Sequence, residues 1–223
     1  MDESLDLRRY APATERNREP ILEVLRQVLP PTGTILEISS GTGQHSICFI
    51  PQLPHHDWLS SDINPEARAS IAAWQKSAQI EGLYPPIAID ASSPQWLVES
   101  DGYDLKQPIT AIVNINMIHI APWSAALGLF AGAARILPIG GILYLYGPFK
   151  RGGVHTSESN AAFDMSLKLQ NPEWGIRDLA EVTDIAASHN LILKQLFPMP
   201  ANNFSVVFHK SQDTNLGLLV LGQ

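Results

Sequence analysis

The sequence predicts an α/β fold in which a doubly wound, mostly parallel sheet of seven strands carries helices on both faces. Strands alternate with helical segments along most of the chain, which is the pattern of successive βαβ units. Residues 110–115 are mainly apolar, as expected of a strand that is buried on both faces of a parallel sheet. The last two predicted strands, 191–197 and 204–209, are joined without an obvious helix. They therefore predict a hairpin and an antiparallel strand at the edge of the sheet.

The other elements follow from apolar periodicity and from residues that end helices. Apolar side chains recur at helical spacing over 19–29, and Pro30 and Pro31 end that helix. The first strand begins at Thr34. Beyond it, the sequence predicts helices over 42–49, 65–80 with Asn64 as N-cap, 122–137, 161–169 and 178–188, and strands over 57–61, 86–89 and 141–146.

The length of 223 residues favours one domain over 1–223, because about 100 to 200 residues usually build a single core. Within it we distinguish an N-terminal cap segment, 1–30, and a polar insertion, 150–178. The insertion is dense in hydrogen-bonding side chains, so we expect it to lie on the substrate side of a site, as a lid. The apolar residues 216–221 are either a packed terminal segment or a sticky tail, and the sequence leaves both open.

Composition narrows the classes of partner. A net charge of −7 and a pI near 5.4 make nucleic acid an unlikely partner, although Arg8, Arg9, Arg16 and Arg18 form a local basic cluster. No apolar run approaches the roughly 18 residues of a membrane span, and the N-terminus lacks a secretory pattern, so we expect a cytoplasmic protein. We expect no metal site, because the run at 55–57, His-His-Asp, is typical of a solvated loop.

Over residues 35–43 the first strand runs directly into a turn of small residues. Its acid, Glu37, would repel a pyrophosphate but would attract a cationic amine. The dinucleotide-binding fingerprint needs three glycines, and Ser46 stands where the third should be. The turn therefore disfavours a nicotinamide dehydrogenase and favours another nucleotide-like cofactor.

This turn resembles the cofactor motif of class I S-adenosylmethionine (SAM)-dependent methyltransferases, which have a Rossmann-like sheet. Glu37, Gly41 and Gly43 match the motif, and Ser39 replaces its first glycine. The resemblance implies that Glu37 holds the ammonium of the methionine moiety and that the turn amides line its tail. An ordinary strand-to-helix turn is the structural alternative.

Two further acids close the next two predicted strands. In the fold that the turn resembles, Asp62 would accept hydrogen bonds from both ribose hydroxyls, and Asp90, with Ala91 beside it, would contact the adenine amino group. Asp62 has an alternative role as a helix cap, which Asn64 fills better. Three acids that end three successive strands support one cofactor site.

The fourth strand delivers polar side chains to the edge where methyl transfer would occur. We assign Asn114 to the cofactor and Asn116 and His119 to catalysis, with Asn116 orienting a substrate. His119 is a candidate general base because the unperturbed pKa of histidine is near 6.5. A structural hydrogen-bonding role for His119 stays open, and transfer from a sulfonium needs chiefly an aligned, desolvated nucleophile.

Several segments together resemble one family of uncharacterised methyltransferase-like proteins, the family that includes methyltransferase-like protein 26. They are Glu-Arg-Asn-Arg at 15–18, Leu-Glu-Ile-Ser-Ser-Gly-Thr-Gly-Gln-His at 36–45, Asn-Met-Ile-His-Ile at 116–120, Tyr-Gly-Pro-Phe at 146–149, Ser-Asn-Ala-Ala-Phe-Asp at 159–164, Trp-Gly-Ile-Arg-Asp at 174–178 and Met-Pro-Ala-Asn-Asn at 199–203. The match covers roughly residues 10–210. It implies that Arg16 and Asn17 fold over the cofactor and pair with the methionine carboxylate.

These observations lead to one main hypothesis and one from another class. The first is a SAM-dependent methyltransferase that acts on a small-molecule acceptor, with Asn116 and His119 nearest the transfer site. The alternative is a non-catalytic protein that binds SAM or S-adenosylhomocysteine (SAH) and regulates a partner. The acceptor atom and the oligomeric state stay open.

Overall fold

The computed structural model of the protein describes residues 6–212 and has a seven-stranded sheet at its centre. The strands are β1 Gly33–Ile38, β2 His56–Ser61, β3 Leu83–Ile87, β4 Ile109–Ile115, β5 Ile142–Gly147, the small hairpin strands β6 Lys150–Arg151 and β7 Val154–His155, β8 Leu191–Met199 and β9 Asn203–Lys210. The helices are α1 Pro12–Val28, α2 Gln44–Phe49, α3 Pro65–Ala78, α4 Trp123–Ile136, α5 Glu158–Gln170 and α6 Leu179–Ser188.

The order of the strands across the sheet is β3-β2-β1-β4-β5-β9-β8. The first five run parallel, and β9 is antiparallel to both β5 and the edge strand β8. The predicted fold class and the terminal hairpin are therefore confirmed. From β1 the chain forms β2 and β3 on one side, and then crosses over to form β4 on the other side of β1. Ligands of such sheets bind at the carboxyl ends of the strands, beside this switch in order.

The sheet separates two apolar layers. Successive residues of a strand point to opposite faces, so Ile35 and Leu36, both fully buried, belong to different layers. On one face, Ile21 and Leu25 of α1 pack with Trp58. On the other face, α4 and α6 cover the sheet. This packing holds the carboxyl edge of β1, β2 and β4 rigid at the switch point.

Helix α1 begins at Pro12, seven residues before the predicted start at 19. Its first two turns bury the polar Thr14 and Asn17 rather than apolar side chains, so apolar periodicity does not reveal them. The segment before α1 lies along α3: Trp74 Nε1 donates to Arg9 O at 3.0 Å, and Tyr10 packs edge-on against Trp74 at 5.0 Å between ring centroids. The N-terminal segment is therefore attached to the helix that follows β2.

Two other local predictions are also wrong. Strand β3 spans Leu83–Ile87 instead of 86–89, and its central prolines are tolerated because β3 lies at an edge of the sheet. Residues 56 and 57 are not a solvated loop but the start of β2. His56 Nε2 donates to Pro30 O at 2.8 Å, and Asp57 is 9% exposed and accepts from the Tyr84 hydroxyl at 3.4 Å.

Within residues 6–212, no helix combines the length and the apolar character needed to cross a bilayer. Helices α3, α5 and α6 begin at side-chain N-caps, which are Asn64, as predicted, Ser157 and Asp178. The apolar segment 216–221 lies outside the described residues.

Candidate functional site

The turn after β1 adopts a left-handed backbone at alternate residues. Ser39 has φ 59°, Gly41 has φ 57° and Gly43 has φ 85°. Ser39 therefore adopts a conformation that favours glycine, at a steric cost of roughly 1–2 kcal/mol for a residue with a side chain. A Cβ on Gly41 would meet no atom within 4 Å, which leaves its backbone open to a ligand. The turn thus presents an uncovered backbone at the switch point.

Gly43 has a different reason to be glycine. A Cβ there would lie 2.8 Å from Ile71 Cγ1 and 2.9 Å from Ile71 Cα in α3. The residue also stands at the N-cap of α2. Gly43 allows the two helices to pack closely, whereas Gly41 is the glycine that leaves space above the turn.

Glu37 lies beneath the turn and is 1% exposed. Trp58 Nε1 donates to its Oε2 at 3.2 Å, and His45 Nδ1 lies 3.8 Å from its Oε1. Burial raises the pKa of Glu37 to about 7 and lowers the pKa of His45 to about 4. Near neutral pH, His45 is therefore uncharged and Glu37 is close to its titration midpoint.

Asp62, directly after β2, is hydrogen-bonded to the turn. Its Oδ2 accepts from Gly41 N at 2.9 Å, and its Oδ1 accepts from Asn64 N at 2.9 Å. The side chain is 8% exposed. Each carboxylate oxygen has a second lone pair, so both can still accept a hydrogen bond from a hydroxyl group. This geometry joins the turn and the second strand in one ligand-binding edge.

Asp90 lies three residues beyond β3 and is exposed. Its Oδ1 accepts from Ser92 N at 2.9 Å and from Ser92 Oγ at 2.7 Å, which fixes the carboxylate in a tight local turn. Ala91 is 6% exposed. Asp90 leaves its Oδ2 free of hydrogen bonds to other described residues, so an amino group could reach it from solvent.

Two asparagines stand at the end of β4. Asn114 Nδ2 donates to Ile38 O at 3.0 Å, which ties β4 to the turn, but its buried Oδ1 has no hydrogen-bond partner within residues 6–212. Asn116 adopts a left-handed backbone with φ 64°, and its N donates to Tyr146 O at 2.8 Å. An orphaned buried acceptor and a strained residue are features that cluster at ligand sites.

His119 is 1% exposed and packs edge-on against Phe149, with 5.1 Å between ring centroids. Neither ring nitrogen has a hydrogen-bond partner among the described residues. Burial lowers its pKa to about 3, so the imidazole is neutral. A Cβ on Gly147 would lie 2.5 Å from His119 Nε2 and 3.1 Å from Asn116 Oδ1, so this glycine admits both side chains to the end of β5.

The polar first turns of α1 lie over the same edge. Asn17 is 7% exposed, and its Oδ1 is 2.9 Å from His45 Nε2, which links α1 to Glu37 through His45. Arg16 is exposed and has no hydrogen bond or ion pair with any residue of 6–212. Its charge nonetheless acts on the Tyr146 hydroxyl. Arg16 is thus directed toward β5, and Asn17 toward the turn.

A cavity of about 260 Å³ opens where α1, the ends of β4 and β5, and the turn between β8 and β9 meet. Arg16, Asn17, Asn116, Tyr146, Ala201 and Asn203 line it. Ala201 has φ 57°, an unusual conformation for alanine. The sequence analysis assigns no role to Ala201 or Asn203. Both lie in the segment 199–203, which is one of the segments that carry the family resemblance, and this was the signal that could have pointed to them.

The insertion 150–178 is attached to the loop that follows β4. Gly175 N donates to His119 O at 2.9 Å, and Arg177 Nε donates to Ile118 O at 2.9 Å. Inside the insertion, Asp164 Oδ2 accepts from Lys168 Nζ at 2.7 Å and lies 3.3 Å from Lys150 Nζ. The insertion therefore supports the backbone that positions His119.

The residues at this edge suit SAM better than a metal or a dinucleotide. The edge offers carboxylates that can accept hydrogen bonds from ribose and amine groups, open backbone at Gly41, and the unpartnered acceptor Asn114 Oδ1. In the turn that leads into α2, Ser46 stands where a pyrophosphate site would carry its third glycine. Among residues 6–212, no three His, Cys, Asp or Glu side chains are grouped as metal ligands would be.

The strand order and the terminal hairpin give the chain the fold of class I methyltransferases. A sequence model of the family described as "Protein of unknown function (DUF938)" matches residues 8–210. The chain belongs to that family.

Solved structures of methyltransferases share the fold. An O-methyltransferase family protein from Burkholderia thailandensis has a TM-score of 0.72 at 12% identity, with 89% of this chain and 57% of that chain covered. Human N-acetylserotonin methyltransferase in complex with SAM has a TM-score of 0.71 at 12% identity, with 89% and 53% covered. An O-methyltransferase family 2 protein from Planctomyces limnophilus, in complex with apigenin, has a TM-score of 0.69 at 18% identity, with 89% and 60% covered. This chain thus spans little more than half the length of these proteins.

Proposed function

We propose that the protein is a SAM-dependent methyltransferase that acts on a small-molecule acceptor. The observation that carries the proposal is the hydrogen bond from Gly41 N to Asp62 Oδ2, because it holds a carboxylate that could bind ribose beside an open turn at the switch point of this fold. The methyltransferases of the same fold, one of them solved with SAM, support the proposal at the level of architecture.

The cofactor would lie across the ends of β3, β2 and β1. Asp90 and Ala91 would contact the adenine, Asp62 the ribose hydroxyls, and the backbone of Ser39 and Gly41 the methionine tail. When bound, the cofactor supplies a methyl group on a sulfonium. Glu37 and the Asn114 Oδ1 are the acceptors nearest the turn for its ammonium, and ionised Glu37 also offsets the positive charge.

The acceptor would lie on the side of β4 and β5. Asn116 can orient it, because its strained backbone directs the amide toward the 260 Å³ cavity. His119, with a pKa near 3, is a weak base and is better suited to accept a hydrogen bond from a ligand or a water molecule than to hold a proton. The insertion 150–178 would close the acceptor side and hold His119 in place.

One observation favours the alternative, a non-catalytic protein that binds SAM or SAH. The described edge offers no histidine with a pKa near neutrality to serve as a base. The two functions differ in turnover. An enzyme would transfer labelled methyl groups from SAM to the low-molecular-mass fraction of a cell extract, whereas a binder would bind SAM without transfer.

The test uses wild type, Asn116→Ala and a surface control, Gln27→Ala. We expect transfer with wild type and the control, and at least a tenfold loss with Asn116→Ala. Binding of SAH by wild type with no transfer to small molecules would instead favour the regulatory protein. We also propose that the protein is related to the family that includes methyltransferase-like protein 26. We further propose that residues 1–30 act as a cap segment over the cofactor.

A further inference from the structure

The 260 Å³ cavity beside the proposed cofactor site has an unusual charge. This protein has a net charge of −7, yet within the described part of the chain the cavity lining contains one guanidinium, from Arg16, and no carboxylate. The nearby arginines differ from Arg16: Arg8 pairs with Asp6 at 2.8 Å, and Arg18 lies 3.7 Å from Glu19. Arg16 therefore brings an uncompensated positive charge to this cavity.

Neutral hydrogen-bonding groups surround that charge. The Tyr146 side chain is 4% exposed, and burial raises its pKa, so its hydroxyl is protonated and can donate. The amide of Asn116 can also donate, and Asn203 Nδ2, which donates one N–H to Pro200 O at 3.0 Å, has a second N–H. The cavity therefore combines one cation and several hydrogen-bond donors with an apolar lining residue, Ala201. This environment suits a carboxylate attached to a small apolar group.

The walls of the cavity are held in strained conformations. Asn116 and Ala201, which line the cavity, have φ values of 64° and 57°, and Asn202, next to Ala201, has φ 58°. Such residues each cost on the order of 1–3 kcal/mol and persist where the surroundings fix them. Asn160 Nδ2 of α5 donates to Asn202 O at 3.0 Å, so the insertion fixes the turn between β8 and β9. The cavity is therefore a built feature of the fold.

The size of the cavity limits the ligand. A water molecule occupies about 30 Å³ of liquid volume, so 260 Å³ holds roughly nine water-sized groups. This is the size of a carboxylic acid with about ten non-hydrogen atoms.

We infer that the cavity binds the carboxylate of a small organic acid and that this carboxylate is the methyl acceptor. This inference rests on the proposed function. A carboxylate oxygen would form a bond to the methyl carbon while the carbon–sulfur bond breaks and its electron pair stays on sulfur. The products are a methyl ester and SAH, and no proton moves.

The chemistry explains why the cavity lacks a base. An alcohol must lose a proton as it is methylated and an amine must lose one afterwards, but the described lining includes no histidine and no acid to take it. A carboxylate is already ionised at neutral pH. It also neutralises the sulfonium as the methyl group moves, which a site of low dielectric constant favours. Arg16 would bind the acid, instead of the methionine carboxylate that the sequence resemblance assigns to it.

The test measures binding of two acids, benzoate and phenylacetate, and of their neutral amides, benzamide and phenylacetamide. Ligand-observed NMR is performed with the full chain, with and without SAH. The variants are Arg16→Gln and a matched control on the same helix, Arg26→Gln, whose side chain bonds to Gln52 at 2.5 Å. Calorimetry gives the SAH affinity of each protein.

We expect the acids to bind wild type and Arg26→Gln, the amides to bind at least tenfold more weakly, and Arg16→Gln to lose at least tenfold in acid affinity. The SAH affinity of Arg16→Gln should stay within twofold of wild type. Equal binding of acids and amides, no binding of either acid, or a loss of SAH affinity alone in Arg16→Gln would overturn the inference.

A second readout separates this inference from the proposed function. Mild alkali releases methanol from a methyl ester but leaves methyl ethers and methylamines intact. Labelled product from the extract that is lost on alkaline treatment supports a carboxylate acceptor. An alkali-stable label would overturn the inference and leave the methyltransferase proposal standing. Failure of wild type to bind SAM or SAH would overturn the proposed function, whereas acid binding that persists would still identify an anion site.

Discussion

The two halves of the carboxyl edge differ in how completely their polar groups are satisfied. On the β1–β2 side, Asp62 accepts two backbone hydrogen bonds and Glu37 accepts from Trp58. On the β4–β5 side, both nitrogens of His119 are without partners among the described residues, and Asn116 has a strained backbone. The first half, which we call the cofactor half, is the proposed side of SAM, and its two acids are held by hydrogen bonds. The second half, which we call the acceptor half, is the proposed side of the methyl acceptor, and it contains more groups without partners.

The largest expected effect is on the cofactor half. Asp62→Ala removes a charged acceptor for two ribose hydroxyls, each hydrogen bond being worth about 2 kcal/mol. We expect SAH affinity to fall by about three orders of magnitude in calorimetry, since each 1.4 kcal/mol is tenfold. Asp90→Ala, which removes one exposed contact, should cost about one order of magnitude. Equal losses of SAH affinity in the two variants would contradict the assignment of Asp62 to the ribose and Asp90 to the adenine.

Glu37→Gln should change how stability depends on pH. Burial raises the pKa of Glu37 from 4.5 to about 7, so its contribution to stability is complete below pH 4.5 and is lost as the pH rises through 7. Relative to Glu37→Gln, wild type should therefore lose about 3 kcal/mol of unfolding free energy between pH 4.5 and pH 8. Urea unfolding at a series of pH values measures it. Parallel profiles for the two proteins would show that Glu37 is not a titrating buried acid.

The acceptor half is sensitive at Gly147. A Cβ at this position would lie 2.5 Å from His119 Nε2, so Gly147→Ala should displace the imidazole and destabilise the fold by about 1–3 kcal/mol. We expect acid binding to be lost while SAH affinity stays within a few-fold of wild type. Gly140→Ala is the control, because that glycine also has a positive φ but no neighbour within 4 Å of its Cβ. Coupled loss of SAH and acid binding would contradict the division of the edge into two halves.

The smallest effect is expected at Ser39. Replacing it with glycine relieves the left-handed strain but adds freedom to the unfolded chain, so the net gain should be about 0.5 kcal/mol. Gln79→Gly, at a residue with φ 50° at the end of α3, should give a similar gain without any change in SAH affinity. A loss of stability in Ser39→Gly would show that the serine side chain supports the turn.

The residues that we assign to the cofactor half could be picked out from the sequence because its parts are local. An acid at the end of a strand and a glycine turn directly after it are visible in a short window, and the fold class follows from the alternation of elements. Even there the sequence does not distinguish the packing role of Gly43 from the open backbone of Gly41, because Ile71 approaches from another helix.

The acceptor half could not be predicted in the same way. Arg16, Asn116, Tyr146 and Asn203 come from four elements that are distant along the chain, and only the tertiary fold brings them around one cavity. The environment of His119 was hidden for the same reason. Its pKa depends on burial beneath the insertion, not on its neighbours in sequence.

The most direct test of the central claim, a SAM site at the switch point, is thermal unfolding of wild type with SAH, SAM and NAD. A ligand at 100 times its dissociation constant adds about 2.7 kcal/mol to the free energy of unfolding. We predict that SAH and SAM stabilise wild type by this amount, that NAD does not, and that Asp62→Ala abolishes the effect. No stabilisation by SAH or SAM, or equal stabilisation by NAD, would contradict the claim.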